Sequence, residues 1–232
     1  MEYLYLTDSY LKEWDAVVET VNGNFITLDK SAFYPAGGGQ LCDKGKVICN
    51  VNEYDVVNVT KKDGIEISRK GLSVGDRVHC IVDWDRRYKL MRMHTAAHIL
   101  IAVMYKYGTL VTGNQLDVDK SRIDFSLEVM DRQKINECFD RANEIVKKNL
   151  PVSFEFMKRD DVMKIPHLMK LAAGLPDMEE FRILRIGEVS DVIDEQADGG
   201  THVAGTNEIG NIKLLSIENK GKNNRRVYYT VE

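Results

Sequence analysis

The sequence lacks the features that mark membrane, secreted and disulfide-bonded proteins. Its 232 residues include only four cysteines, at positions 42, 49, 80 and 138, and no CxxC pair. We therefore expect reduced, mostly buried thiols. No stretch approaches the roughly 20 apolar residues that span a bilayer. The opening MEYLYLTDSY has no basic region followed by an apolar run. These absences predict a cytoplasmic protein with no membrane partner.

A basic excess is also absent. The formal net charge is −4, whereas domains that bind nucleic acid usually carry a surplus of lysine and arginine. Basic clusters at 85–92 and 220–226 are most simply explained as solvated charged faces. A protein that grips only the end of an RNA needs few phosphate contacts. The charge balance therefore leaves an RNA partner open, and nothing indicates a DNA partner.

What the sequence does contain, in residues 1–84, is a series of short alternating runs separated by turn signals. The runs lie at 16–21, 25–28, 45–51, 55–60 and 77–84. Strands at this spacing predict a small β-barrel or sandwich. The segment FYPAGGGQ at 33–40 interrupts them, which predicts a long loop or a place where backbone approaches closely.

The pattern changes after Trp84. Residues 86–107 contain no proline or glycine, and their apolar positions follow helical spacing, so we expect one helix over 85–107. Further helices are expected at 131–149 and 160–172, with strands at 121–127, 152–157, 181–187 and 189–194 and a two-stranded hairpin within 212–232. This mixture predicts an α+β domain over 85–232 behind a β domain over 1–84.

Histidines supply the strongest chemical signal. In HTAAH, His94 and His98 are four residues apart, so their side chains leave one helix face and can bind one metal ion. A pair of ordinary buried histidines is the alternative. Thr95 stands where an HExxH zinc protease needs its glutamate, which excludes that class. His79 and His167 show no partner in the sequence.

The stretch QADGGTHVAGT at 196–206 offers further ligands. His202 would make a third nitrogen ligand, and three protein ligands with an open position are typical of catalytic zinc. Asp198 can be a fourth, oxygen ligand. Alternatively, its carboxylate bonds the backbone of the glycines that follow, as in an ordinary turn.

Taken in order, these motifs resemble a known family. HTAAH, followed much later by DGGTHV and TNEIG, and accompanied by FYPAGGGQ and VTGNQLDVDKSRIDFSL, resembles the AlaX family of free-standing alanyl-tRNA editing proteins, of medium length, over nearly the whole chain. The resemblance implies an N-terminal, translation-factor-like β-barrel. Behind it would lie an α+β editing domain of the threonyl/alanyl-tRNA synthetase type.

The resemblance also implies an activity. Family members are ATP-independent hydrolases that remove serine, sometimes glycine, from mischarged alanine tRNA, which they bind at its acceptor end. One zinc ion is held by an HxxxH pair and a CxxxH pair, which map here onto His94, His98, Asp198 and His202. Asp198 replaces the family's cysteine, and carboxylate is a harder, less zinc-selective ligand than thiolate. We expect a monomer or weak homodimer.

The reaction suggests roles for other residues. Serine is alanine plus a hydroxyl, which an apolar pocket rejects by only about a hundredfold, so a second site must sense the hydroxyl. The metal would either activate water or anchor the substrate while separate water attacks. Candidates for the catalytic oxyanion loop are Gly199, Gly200 and Thr201. Candidates for substrate binding are Thr112, Asn114, Gln115 and Gln196, although a polar turn equally explains the first three.

Two other functions remain open from the sequence. One is a tRNA-binding, translation-associated module without catalysis, which the aspartate at position 198 keeps possible. The other is a metal-dependent hydrolase of a different small ester on the same fold. Deacylation assays with metal analysis distinguish all three.

Overall fold

The computed structural model describes residues 1–129, 131–165 and 178–232. The chain forms two compact units, Met1–Leu90 and Met91–Glu232. Among the described residues, no helix is long and apolar enough to cross a membrane. All four cysteines are free, and Cys42, Cys80 and Cys138 are buried.

The first unit is built from β-strands. They are β1 Glu2–Tyr3, β2 Glu13–Asn22, β3 Phe25–Leu28, β4 Lys30–Ser31, β5 Gly45–Cys49, β6 Asn52–Thr60, β7 Gly64–Ile67 and β8 Arg77–Val82. A closed barrel runs in the order β2-β3-β7-β6-β5-β8, while β1 pairs with β4 in parallel. Closure leaves the six barrel strands without an open edge. The expected small β-barrel is therefore present.

Alternation explains the barrel's core. Along β2, Ala16 and Val18 are buried while Asp15 and Val17 are exposed, because successive strand residues point to opposite faces. The inward positions form one apolar cluster, which includes Val18, Ile26, Leu28, Val47, Ile65 and Cys80. His79 points outward from β8, and its Nδ1 lies 2.8 Å from Asp15 Oδ1 on β2, a partner the sequence did not reveal.

The loop at 33–40 packs on this unit. Gly37 and Gln40 exchange backbone hydrogen bonds, and Gly38 and Gly39 adopt φ of +58° and +88°, which favours glycine. A Cβ at Gly38 would meet nothing within 4 Å, so the segment is a turning loop rather than a close backbone approach at that position. Beneath it, the fully buried Asp43 forms an ion pair with Arg87.

The remaining elements mix helices with antiparallel strands. They are α1 Trp84–Tyr105, β9 Val111–Gln115, β10 Ser121–Phe125, α2 Arg132–Lys147, β11 Val152–Lys158, α3 Arg159–Val162, β12 Glu180–Glu188, β13 Asp191–Ala197, a 3-10 turn Thr206–Ile209, β14 Ile212–Asn219 and β15 Arg225–Val231. Two sheets run in the orders β14-β15-β10-β9 and β11-β12-β13. The fold is a β-barrel followed in the chain by an α+β unit, as expected.

Helix α1 lies against the inner face of the four-stranded sheet. Tyr229 of β15 is fully buried and donates from its hydroxyl to the Met93 carbonyl at 2.8 Å. Arg92 donates to the carbonyl of Ile209 at 2.7 Å. Helix α2 begins at an Asp131 cap that accepts the Lys134 N–H. The Tyr229 contact holds α1 against the sheet, and the Arg92 contact ties α1 to the 3-10 turn.

Most boundaries fall within a few residues of the sequence expectation. The exceptions among the strands are the two-residue strands β1 and β4 and the short strands β7 and β9, none of which the sequence predicted. For the helical region expected at 160–172, the structure describes α3 at Arg159–Val162, and residues 166–172 lie outside the described part, as does His167.

Candidate metal centre

Helix α1 presents two histidines from a fully buried stretch. His94 and His98 are 3% and 2% exposed, and their ring centroids are 5.1 Å apart. The residues around them, Met93, Thr95 and Ala96, are likewise inaccessible to solvent. The histidines therefore sit in an environment where an uncompensated charge is costly.

The loop after β13 brings two more ligands to the same place. The His202 ring centroid lies 4.3 Å from that of His94 and 5.0 Å from that of His98. Arg182 of β12 holds this loop by donating to the carbonyls of Asp198 and Gly200 at 3.3 and 2.9 Å. The loop is thus anchored on both sides of Gly199.

Asp198 makes a backbone turn and also directs its carboxylate toward the histidines. Its Oδ1 accepts the Gly200 N–H at 2.6 Å, which closes a local turn. The same carboxylate faces all three histidines: Oδ1 is 2.9 Å from His202 Nε2, and Oδ2 is 3.4 Å from His94 Nε2 and 3.7 Å from His98 Nε2. The turn therefore aims the carboxylate at the histidine cluster.

The donor set fits a metal ion. One ligand atom from each of His94, His98, Asp198 and His202 lies within 4.8 Å of the others. Ligands on a tetrahedral zinc, with Zn–N near 2.1 Å, lie about 3.4 Å apart, so small side-chain movements suffice. Three imidazoles and one carboxylate are an accepted ligand set for zinc. The four predicted ligands are thus brought together.

Hydrogen bonds to the other ring nitrogens orient two of the imidazoles. His98 Nδ1 lies 2.8 Å from the Asp194 carboxylate, so this nitrogen donates and leaves Nε2 toward Asp198. His202 Nδ1 lies 3.2 Å from Thr95 Oγ1, whose single proton goes to the Met91 carbonyl. His202 Nε2 faces the Asp198 carboxylate at 2.9 Å, which is the side on which a shared metal ion would be held.

Burial and the carboxylates set opposite pKa shifts in the cluster. Burial lowers the pKa of His94 and takes that of His202 well below its usual value, so both are neutral and able to bind metal. Burial also opposes the charge on His98. Its hydrogen bonds to Asp194 and Asp198 outweigh that effect and raise its pKa to about 9. For Asp198, burial is outweighed by the three histidines, and its pKa falls well below the usual range.

Gln196 is the predicted substrate-binding residue that touches this cluster. It is 6% exposed, and its amide lies 2.6 Å from His98 Nδ1. Because that nitrogen already donates to Asp194, we orient the amide so that its oxygen shares the same proton. Asp194 and Thr95 were not predicted as site residues. The alternation of Asp194 and Gln196 along β13, continued by Asp198 directly after the strand, was a signal that could have found Asp194.

The glycines of the loop differ in exposure. Gly199 is exposed, with open space where a Cβ would lie, whereas Gly200 is buried and its N–H is bonded to Asp198. Thr201 is fully buried. The exposed Gly199 therefore offers the more accessible backbone beside the cluster.

The three candidates on β9 point in different directions. Asn114 pairs with the buried Ile123 and shares the inner face of the sheet, on the side of α1. Gln115 pairs with Arg122 on the outer face and accepts from its guanidinium at 3.4 Å. Thr112 is exposed and hydrogen-bonds to Asn224. Of these three, Asn114 is the one on the metal-helix side.

Comparisons with known proteins cover both parts of the chain. A family model described as the threonyl and alanyl tRNA synthetase second additional domain matches residues 181–228, and one for class II (A) tRNA synthetases matches residues 6–86. The first match includes Asp198 and His202, and it confirms the expected synthetase-type editing domain.

Curated relatives match over the whole length. The alanyl-tRNA editing protein AlaX-M of Saccharolobus solfataricus is 43% identical, covering 100% of this chain and 99% of the relative. That of Methanosarcina acetivorans is 44% identical, covering 99% and 98%. The alanine–tRNA ligase of Halobacterium salinarum is 37% identical over 94% of this chain, which spans 24% of the ligase. The similarity thus extends along entire free-standing relatives and along one segment of the ligase.

Proposed function

Because the chain belongs to the family of AlaX-M alanyl-tRNA editing proteins, we propose that it is a trans-editing hydrolase that deacylates mischarged alanine tRNA. The ester removed is that of serine, and secondarily that of glycine. The observation that supports this most directly is the convergence of His94, His98, Asp198 and His202 within 4.8 Å. In this proposal residues 85–232 form the metal-binding editing domain and residues 1–84 a translation-factor-like β domain.

The proposed centre takes one zinc ion, held by these three histidines and by Asp198. When bound there, zinc supplies Lewis-acid polarisation of an ester or a water at neutral pH. The protein's part is to orient the imidazoles through the Asp194 and Thr95 hydrogen bonds and to keep His94 and His202 neutral by burial. The proposed oxyanion loop comprises Gly199, Gly200 and Thr201, and its candidate donor is the exposed Gly199 N–H, because the Gly200 N–H is bonded to Asp198.

Discrimination against alanine requires a partner for the serine hydroxyl. A buried polar group that is satisfied only by the hydroxyl disfavours the analogue that lacks it. We assign this role first to the amide nitrogen of Gln196, because its oxygen is directed to His98 Nδ1, and next to Asn114 on the inner face of the sheet. Thr112 and Gln115 are placed as contacts to the acceptor end of the tRNA, because they lie toward solvent.

The test is a deacylation assay with seryl-, glycyl- and alanyl-charged alanine tRNA, with metal content measured on the same samples. We expect turnover of the seryl ester, little turnover of the alanyl ester, and loss of both metal and activity in His94→Ala/His98→Ala. His79→Ala, which removes a half-buried barrel histidine remote in sequence from the metal motifs, is the control and should retain both. Full activity in the double variant would overturn the metal-centred proposal.

The other outcomes identify the competing functions. Retained tRNA binding without metal or turnover would indicate a non-catalytic tRNA-binding module. Turnover of small esters without preference for tRNA would indicate a different ester hydrolase on this fold.

A further inference from the structure

One face of the sheet β11-β12-β13 carries the metal-site residues at one side and two aromatic rings at the other. Residues opposite each other in antiparallel strands point to the same face. The register aligns Phe154 with Leu184 and Leu184 with Gln196. Phe156 and Asp194 share this face, because each is two residues from a member of that row. The aromatic pair and the residues that contact His98 thus lie on one surface.

The aromatic pair is exposed although the sheet has a buried face available. Phe154 is 37% and Phe156 44% exposed. On the opposite face, Phe181 and Ile183 pack with Val162 into a small apolar core. The two exposed rings therefore are not needed to complete that core, and they stand beside the centre on the edge strand of the described sheet.

Arg182 joins the rings to the loop that carries Asp198. Its guanidinium carbon lies 4.2 Å from the Phe154 ring centroid, while the same guanidinium donates to the carbonyls of Asp198 and Gly200. The Phe156 ring meets Phe154 edge-on, with centroids 6.0 Å apart. Arg182 itself is 6% exposed, so the rings are held at a fixed offset from the centre.

Exposed aromatic rings beside a cation suit a nucleobase. Every base has a π-face that stacks on such rings, and arginine adds a cation–π contribution. Phe154 and Gln196 are two strand spacings apart, roughly 10 Å. A terminal adenosine that presents its ester to the centre must place its base a comparable distance away.

We propose that Phe154 and Phe156 form the stacking site for the terminal nucleobase of the tRNA acceptor end. This proposal rests on the function proposed above, since it takes the ester to lie at the His94, His98, Asp198 and His202 cluster. It assigns the aromatic face of β11 to the nucleic acid rather than to a second copy of the chain, because Arg182 continues this face directly into the metal loop.

The test is a binding cycle with uncharged RNA, so it can be read whether or not the protein hydrolyses an ester. A labelled alanine acceptor-stem hairpin ending in CCA is compared with the same hairpin carrying an abasic terminal nucleotide. For the wild type we expect the abasic change to weaken binding roughly 5- to 150-fold. In Phe154→Leu/Phe156→Leu, which keeps apolar bulk without rings, the normal hairpin should bind as weakly as the abasic one.

Two further variants make the result specific. Phe154→Tyr/Phe156→Tyr keeps both rings and should restore the sensitivity to the abasic change. Val189→Ala alters a more accessible apolar residue, 84% exposed between β12 and β13, and should behave as wild type.

Three results overturn the proposal. One is wild-type binding that is indifferent to the terminal base. Another is a leucine variant that still loses affinity with the abasic hairpin. The third is a concentration-dependent mass that falls on removal of the rings, measured by light scattering, which would assign this face to self-association.

Discussion

The replacement Asp194→Asn tests how the protein holds His98 for zinc. The Asp194 carboxylate is 1% exposed and lies 2.8 Å from His98 Nδ1. Asparagine keeps the size and a hydrogen-bonding oxygen but removes the charge. Carboxylate partners of this kind orient a ligating imidazole and make it a better ligand, and their loss typically weakens metal binding about 10- to 100-fold.

The Asp194 carboxylate also stabilises the protonated form of His98, and this proton competes with zinc for the imidazole. With the pKa of His98 at about 9, a proton must leave before zinc binds at pH 7. Two pH units below the pKa, this competition costs about 100-fold in apparent affinity, or ~2.7 kcal/mol. Wild-type affinity should therefore rise about tenfold per pH unit from pH 7 and level off above the pKa.

The variant should differ most from the wild type at high pH. At pH 7 His98 of the variant is a weaker zinc ligand, but it also holds its competing proton less tightly. These two effects on zinc affinity oppose each other. Above the wild-type pKa only the first effect remains, and the full ~10- to 100-fold weakening appears. The measurement is a competition titration against a chromophoric zinc chelator from pH 6.5 to 9.5, comparing both proteins at equal free zinc.

The control is Asp191→Asn, an exposed aspartate at the start of the same strand β13, which should match the wild type throughout. A wild-type to variant affinity ratio that stays constant across the pH range would refute the reasoning, as would undiminished zinc binding by the variant at pH 9.5.

Four further predictions follow from other contacts. Asp198→Cys should raise zinc selectivity over magnesium and manganese, measured by competition, because thiolate is the softer ligand. Free zinc at about 100 times Kd should add ~2.7 kcal/mol of stability, which is about 5–11 °C in Tm, and His94→Ala should remove this gain. The Asp15 hydrogen bond raises the pKa of His79 above that of the unfolded chain, so its stabilisation is present at pH 5.5 and lost as pH rises through the folded-state pKa. His79→Gln should accordingly lower Tm at pH 5.5 but not at pH 8.5. Arg87→Met strands the buried Asp43 carboxylate and should cost about 3–5 kcal/mol in denaturant unfolding.

The parts of the fold that the sequence predicted are those with a strong local signal. Strand β2 alternates between buried and exposed residues over most of its length, and α1 has no proline or glycine within it. Strands β7 and β9 were missed because four or five residues, with glycine among them, show no clear period. Their pairing is decided by neighbouring strands, which local pattern cannot supply.

The same distinction applies to the candidate site. HTAAH places two histidines on one helix face by spacing alone, and DGGTH marks a turn. The contact of Asp194 with His98, by contrast, depends on how β13 is placed against α1, which no spacing within either segment specifies. From the sequence, Thr95 served only to exclude an HExxH protease, because it stands where that motif has a glutamate. Its contact with His202 arises from the fold.

The turn made by Asp198 and Gly200 places a carboxylate among the metal ligands, and this affects how the site responds to oxidants and electrophiles. Thiolate ligands are open to sulfenic and sulfinic acid formation and to disulfide exchange, with loss of the ion they hold. The cluster of His94, His98, Asp198 and His202 contains no sulfur, and its loop is closed by the Gly200 N–H on the Asp198 carboxylate. Peroxide and electrophiles that inactivate a cysteine-ligated zinc site therefore find no thiolate among these four ligands. The substitution Asp198→Cys would introduce one.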